Sequence, residues 1–175
     1  VWAEREATTG NLRLVAQRLG VEGEQRGGQR VLVGPGGPYA HDAALAYSAV
    51  SHRYMAVWVE GTWSGPVNRI VAQQLDQDLT PVGGEIVVAQ SNGKPQLFEP
   101  DVAHAGGGRF VFAWHSDPPN DPTYPTGLVA HTRAWSGTAL GATRDLFGAY
   151  DRYGIEGKAI AEGPDGTAML VLSVG

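Results

Sequence analysis

Three carboxylates recur at a fixed interval in this 175-residue chain: Asp42, Glu99 and Glu156, each 57 positions from the last (42 to 99, 99 to 156). Each lies just before a short stretch rich in small apolar residues: AALAYS at 43–48, DVAHA at 101–105 and KAIAE at 158–162. Carboxylates held in register can ring a channel and bind a cation, or divide the acid and nucleophile roles of glycoside hydrolysis. Those two roles require surroundings that drive a pair of pKa values apart, and the three sequence contexts are alike. The plain alternative is a solvated carboxylate in each loop. No cofactor is expected, with calcium at this row the alternative, and no metal site is assigned.

A second group of candidates sits in three loops: EREATTGN at 4–11, EGTWSGPVN at 60–68 and SDPPNDPTYPTG at 116–127. These segments differ between copies far more than the stretches that flank them, as binding loops on a shared scaffold do. Trp63 and Tyr124 are aromatic rings in polar, Gly- and Pro-rich surroundings, suited to stacking on a sugar or packing against a partner. Asn68, Asp117 and Asp121 place hydrogen-bonding groups beside them. Alternatively, each ring caps the edge of its own sheet. Pro118, Pro119, Pro122 and Pro125 hold the third loop extended, which lowers the entropy lost on ordering it. No Asn-x-Ser/Thr sequon occurs.

His104, His115 and His131 fall on three consecutive strands of one unit, where neighbours facing one way can ligate zinc; packed or exposed histidines are the alternative. Asp76 and Asp78 in QLDQDLTPVGG lack the glycine and distal glutamate of a calcium loop and read as turn residues bonding their own backbone. Ser, His and Asp are present in combinations that could serve hydrolysis, but no Gly-x-Ser-x-Gly or other nucleophile setting accompanies them. The absence of Cys excludes disulfides, thiolate metal sites and a Cys nucleophile.

The elements that must position these groups follow from an internal repeat. RYMAVWVE at 53–60 returns as RFVFAWHS at 109–116 and TAMLVLSV at 167–174, and the chain opens on VWAE, which matches the second half. Both alternating sets of RYMAVWVE are apolar, so this strand must be covered on both faces. Around it each unit carries a strand such as AALAYS before, then LRLVAQRLG (12–20), NRIVAQQLD (68–76) or TGLVAHTRA (126–134), then RVLVG (30–34), EIVVAQ (85–90) or DLFGA (145–149). A helix over RIVAQQLDQDL fits the spacing of Ile70, Val71, Leu75 and Leu79. The copies break it with Gly20 and with Trp135-Ser136-Gly137, so a strand is expected.

Composition agrees. Hydrophobic residues make up 42% and charged residues 18%, and 25 Gly and 11 Pro supply turns between short strands. The net charge of −5 comes without a run of basic residues, which argues against a nucleic-acid surface. No apolar run is long enough for a membrane-spanning helix. No charged segment followed by an apolar stretch opens the chain, so no signal peptide is read. Four strands per unit of about 57 residues is the signature of a β-propeller blade.

The quoted strands resemble those of secreted bacterial propeller-like repeat proteins: VWAE then LVAQRLG, VWVE then IVAQQLD, FAWHS then LVAHTRA. The third copy departs most, with His115 and Ser116 where the acidic position falls and His131 in place of Gln. GPDG at 163–166 resembles the Asp-box of sialidase propellers in part and reads more simply as a hairpin turn. The resemblance implies a secreted or cell-surface setting.

The expectation is a single all-β repeat domain over 1–175 with three four-stranded blades. Two are whole (43–90 and 101–149), and one is split between strands in 11–34 and 158–174. Residues 1–4 and 171–174 occupy one repeat position, which predicts self-association as a dimer or fibre. The expected function is a non-enzymatic extracellular assembly or structural module. The alternatives are a carbohydrate- or protein-binding propeller using the loops of Trp63 and Tyr124, and a fragment of a glycoside hydrolase using the carboxylate row.

Overall fold

The computed structural model describes residues 1–5, 12–34, 37, 39–61, 67–92, 97–116, 129–147 and 155–174. Thirteen strands account for most of them. The first sheet contains β1 (Trp2–Arg5), β2 (Leu12–Leu19) and β3 (Gln25–Val33) in that order. The second contains β4 (Ala40–Ser48), β5 (Arg53–Glu60), β6 (Val67–Leu75) and β7 (Pro81–Asn92). The third contains β8 (Leu97–His104), β9 (Phe110–Ser116), β10 (Val129–Trp135) and β11 (Arg144–Phe147). The last pairs β12 (Ile155–Glu162) with β13 (Ala168–Val174). All pairings are antiparallel between sequence neighbours, so each sheet is a meander.

The expected strands are found close to their expected bounds, and 67–75 is strand, not helix. Among the described residues the helical content is one 3-10 turn, Pro164–Gly166, in the GPDG hairpin. The count of three blades is corrected: among the described residues there are four sheets, and the terminal strands of the two ends do not share one. The physical reason lies in packing. β1 and β2 pack on β4, while β12 packs on β8, so each end sheet is seated on a different neighbour. Among the described residues the sheets form no closed ring.

The period-2 pattern of β5 explains how the stack is held. Met55, Val57 and Val59 point to one side and join Phe110, Phe112, Trp114, Leu97 and Val102 of the third sheet in one buried cluster. Ala56 and Trp58 point to the other side and meet Leu14, Ala16 and Val33 of the first sheet in a second cluster. A strand buried on both faces reads as a continuous apolar run, because neither side meets water. The first strands of successive sheets lie against one another, β4 on β8 and β8 on β12, and set the axis along which the sheets stack.

Candidate functional site

The carboxylate row is placed by a shared irregularity. β4 pairs β5 with a register shift between His41 and Ala44, β8 pairs β9 with one between Phe98 and Asp101, and β12 pairs β13 with one between Ile155 and Gly157. Asp42, Glu99 and Glu156 lie at these three bulges. Asp42 and Glu99 also adopt positive φ, 49° and 45°, a conformation that side chains other than Gly, Asn and Asp seldom take. The stacking of β4 on β8 brings Asp42, Glu99 and Asp101 to one cleft of about 270 Å³.

Each of these carboxylates has a local partner. Asp42 Oδ2 is 3.0 Å from His41 Nδ1, and Glu99 Oε2 is 3.8 Å from His115 Nδ1. Asp101 accepts hydrogen bonds from the backbone N–H of Val102 (2.8 Å) and of Ile160 (3.1 Å), pinning the third sheet to the last. Among the described residues no three His, Asp or Glu side chains converge as a metal-binding group.

Of the loop candidates, Trp63, Asp117, Asp121 and Tyr124 lie outside the described residues. Asn68 is described. It is buried, and its Oδ1 accepts the backbone N–H of Leu97 at 2.9 Å, fastening the entry of β8 to β6. The three histidines weighed for zinc take separate partners. His104 Nδ1 lies 2.8 Å from Glu162 Oε1 across the last two sheets, His115 approaches Glu99, and His131 takes other partners. Asp76 Oδ1 accepts the N–H groups of Asp78 (2.9 Å) and Thr80 (2.8 Å), as a turn residue does.

A hydrogen-bonded row recurs where the second strand of each unit ends. Trp58 Nε1–H donates to Glu60 Oε1 at 3.0 Å, and Arg69 Nε–H donates to Glu60 Oε2 at 2.6 Å. In the first sheet Trp2 donates to Glu4 (3.2 Å), as does Arg13 Nε–H (2.6 Å). Four residues after each arginine, Gln17 and Gln73 each donate to backbone carbonyls of the next strand, bridging a bulge. The first two sheets thus use one structural solution twice.

The third sheet replaces it. Ser116 stands at the acidic position and His131 at the glutamine position. Ser116 Oγ lies 2.7 Å from His131 Nε2, and His131 Nδ1 lies 2.7 Å from Asp145 Oδ1. An ionised carboxylate only accepts, so Nδ1–H donates to Asp145, which leaves Nε2 facing the serine hydroxyl. Trp114 stacks on His131 with centroids 5.3 Å apart and planes 25° apart. Register explains the assembly: His131 pairs directly with Trp114 on one side and with Asp145 on the other, which sets all three on one face. The departures at 116 and 131 were visible in the sequence. Asp145 was not, because its register against β10 depends on the eight-residue connection 136–143 and on a bulge.

Arginines that are scattered in the sequence also meet. Arg18 on β2 and Arg26 and Arg30 on β3 line a cleft of about 460 Å³, facing Asp78 and Thr80 of the β6–β7 turn. Arg18 pairs with Asp78 at 2.8 Å, and Arg26 with Glu24 at 2.9 Å. The carboxyl of Glu24 is held below the usual range by its own backbone N–H and then by Arg26. The chain matches no known family model and no curated protein.

Proposed function

We propose that the chain is a run of propeller-like blades that acts as an extracellular assembly module, associating face to face through its outer sheets. The observation that carries this is the contrast between equivalent residues inside and outside the stack. Met55 and Val57 are fully buried by the next sheet, whereas Met169 and Val171, their equivalents on β13, are 60% and 59% exposed. At the opposite end Trp2 is 38% exposed, whereas Trp58 in the same position of the second sheet is 1% exposed.

One outer face therefore has the character of a blade awaiting a successor, and the other that of a blade awaiting a predecessor. A second copy of this chain offers both. Such contacts are heterologous, and they make a ring where the rotation closes and a fibre where it does not. The extracellular setting rests on the likeness of the Val-Trp and Val-Ala-Gln strands to secreted repeats.

Light scattering on the purified chain tests this reading. We expect a mass above that of the 18.5 kDa monomer, and we expect the double variant Met169→Lys/Val171→Lys to return the monomer with its circular dichroism unchanged. A wild-type chain that stays monomeric at high micromolar concentration overturns the proposal.

A second reading has its own support in the arginine cleft. Three guanidinium groups around one cavity suit a sulfated or carboxylated carbohydrate, since each fork matches an oxyanion bidentately. This keeps the carbohydrate-binding alternative but moves it to the cleft between β2, β3 and the β6–β7 turn.

A further inference from the structure

We propose that Ser116, His131 and Asp145 form a nucleophilic triad that hydrolyses small carboxylic esters. The activity goes beyond the assembly reading, which stands whether or not this one does. Its basis is the juxtaposition on adjacent strands β9, β10 and β11 of a serine hydroxyl, an imidazole and a carboxylate. Both hydrogen bonds measure 2.7 Å and run in the order that proton transfer requires.

Three further observations favour chemistry over packing. The fold does not call for this set, because the first two sheets meet the same need with Glu–Arg pairs and glutamine bridges. In the third sheet the ion pair disappears on both sides, with Ser116 for Glu and Gly127 for Arg, as His131 appears. The ring is held in place by its stack on Trp114 and its bond to Asp145, so a nucleophile–base geometry is fixed before any substrate arrives. The site also lies at an end of the sheet. Ser116 closes β9 opposite Val129, which opens β10, and Asp145 is largely exposed. Ser116 itself is 3% exposed, which restricts the acyl group to a small one such as acetyl.

The reaction is acyl transfer to serine and then to water. Ser116 Oγ attacks the ester carbonyl carbon while His131 Nε2 takes the hydroxyl proton, and Asp145 steadies the imidazolium through Nδ1–H. Collapse of the tetrahedral adduct breaks the bond from carbon to the alcohol oxygen, and His131 returns the proton to the departing alkoxide. Water then attacks the acyl-serine with His131 again taking a proton. The carboxylic acid leaves and Ser116 regains its hydrogen. Ester plus water gives acid plus alcohol, and no other co-reactant is needed.

The test uses the whole chain. Methanesulfonyl fluoride, a serine-directed reagent about the size of an acetyl group, is added to folded protein, the adduct is located by peptide mass mapping, and release of p-nitrophenol from p-nitrophenyl acetate is followed alongside. We expect covalent labelling at Ser116, none in Ser116→Ala, and a loss of turnover of about 100-fold or more in His131→Gln. That second variant restores the residue found in the first two sheets, so it should melt as the wild type does. Asp145→Asn is expected to lower kcat with little change in KM, as befits a positioning residue. Absence of label from folded wild-type protein, or equal ester hydrolysis by wild type and Ser116→Ala, overturns the proposal and leaves the row as a structural clip between strands.

Discussion

Glu4 and Glu60 perform the same task in the same motif, yet their surroundings separate what each contributes. Glu60 is buried against Trp58, so removing its cation strands a charge away from water. Arg69→Ala should therefore cost about 3 kcal/mol or more. Arg13→Ala, whose partner Glu4 is partly solvated, should cost about 1 kcal/mol or less. Urea denaturation of the two variants measures the difference, and equal losses would show that burial is not what sets the cost. The acidic residue two places after Trp2 and Trp58 is plain in the sequence. Its arginine is not, because Arg69 sits nine residues on and meets Glu60 only through the β5–β6 register. Asn68 shows the same limit from the other side. A polar residue at the edge of a variable loop reads as a ligand contact, and only the fold reveals Leu97 as its partner.

At the scale of the element, the doubly apolar strand was the most legible feature. Alternation with no polar face demands cover on both sides, and β5 and β9 have it. Trp58→Ala should cost about 3–5 kcal/mol, because the cavity opens between two sheets. Trp2→Ala, on an outer face, should cost about 1 kcal/mol or less in the isolated chain. Thermal or urea unfolding of both variants tests this pairing.

The hairpin turns make a finer demand. Gly106 has φ of +67°, and a Cβ placed on it would lie 2.5 Å from the Cα of Gly166 in the neighbouring turn. Gly106→Ala is therefore expected to lower stability by about 1–3 kcal/mol, and a melting temperature equal to wild type would contradict the close approach. A glycine run after an apolar strand announces a turn in the sequence. It does not announce that the turn touches the next sheet. The bulges at Asp42, Glu99 and Glu156 were legible as a recurrence at 57 residues and illegible as bulges, since nothing in the residue types marks an extra position in a strand.

Among the described residues the sheets pack in sequence order, which could be foreseen from the repeat, while their division could not. Counting strands from the two ends suggests one shared blade; the structure seats each end on its own neighbour. The arginine cleft belongs to this scale too, because it takes strands of the first sheet and a turn of the second. If it binds anionic carbohydrate, titration with a sulfated oligosaccharide should show affinity that falls with added salt, and Arg18→Ala/Arg30→Ala should weaken it by at least about tenfold, or 1.4 kcal/mol. Binding that ignores salt and both substitutions would remove the cleft from consideration.

The meander within every sheet also governs how the chain comes to be folded. Strands pair with their sequence neighbours, and each sheet rests mainly on the one before or after it. Contacts therefore fall within a sheet or between neighbouring sheets, so folding can start in any unit and spread. Stability is then unevenly distributed along the stack. The second and third sheets carry the two-sided strands, and amides of β5 and β9 should exchange with solvent most slowly. The two-stranded sheet, which rests mainly on β8, should open first without taking the others with it.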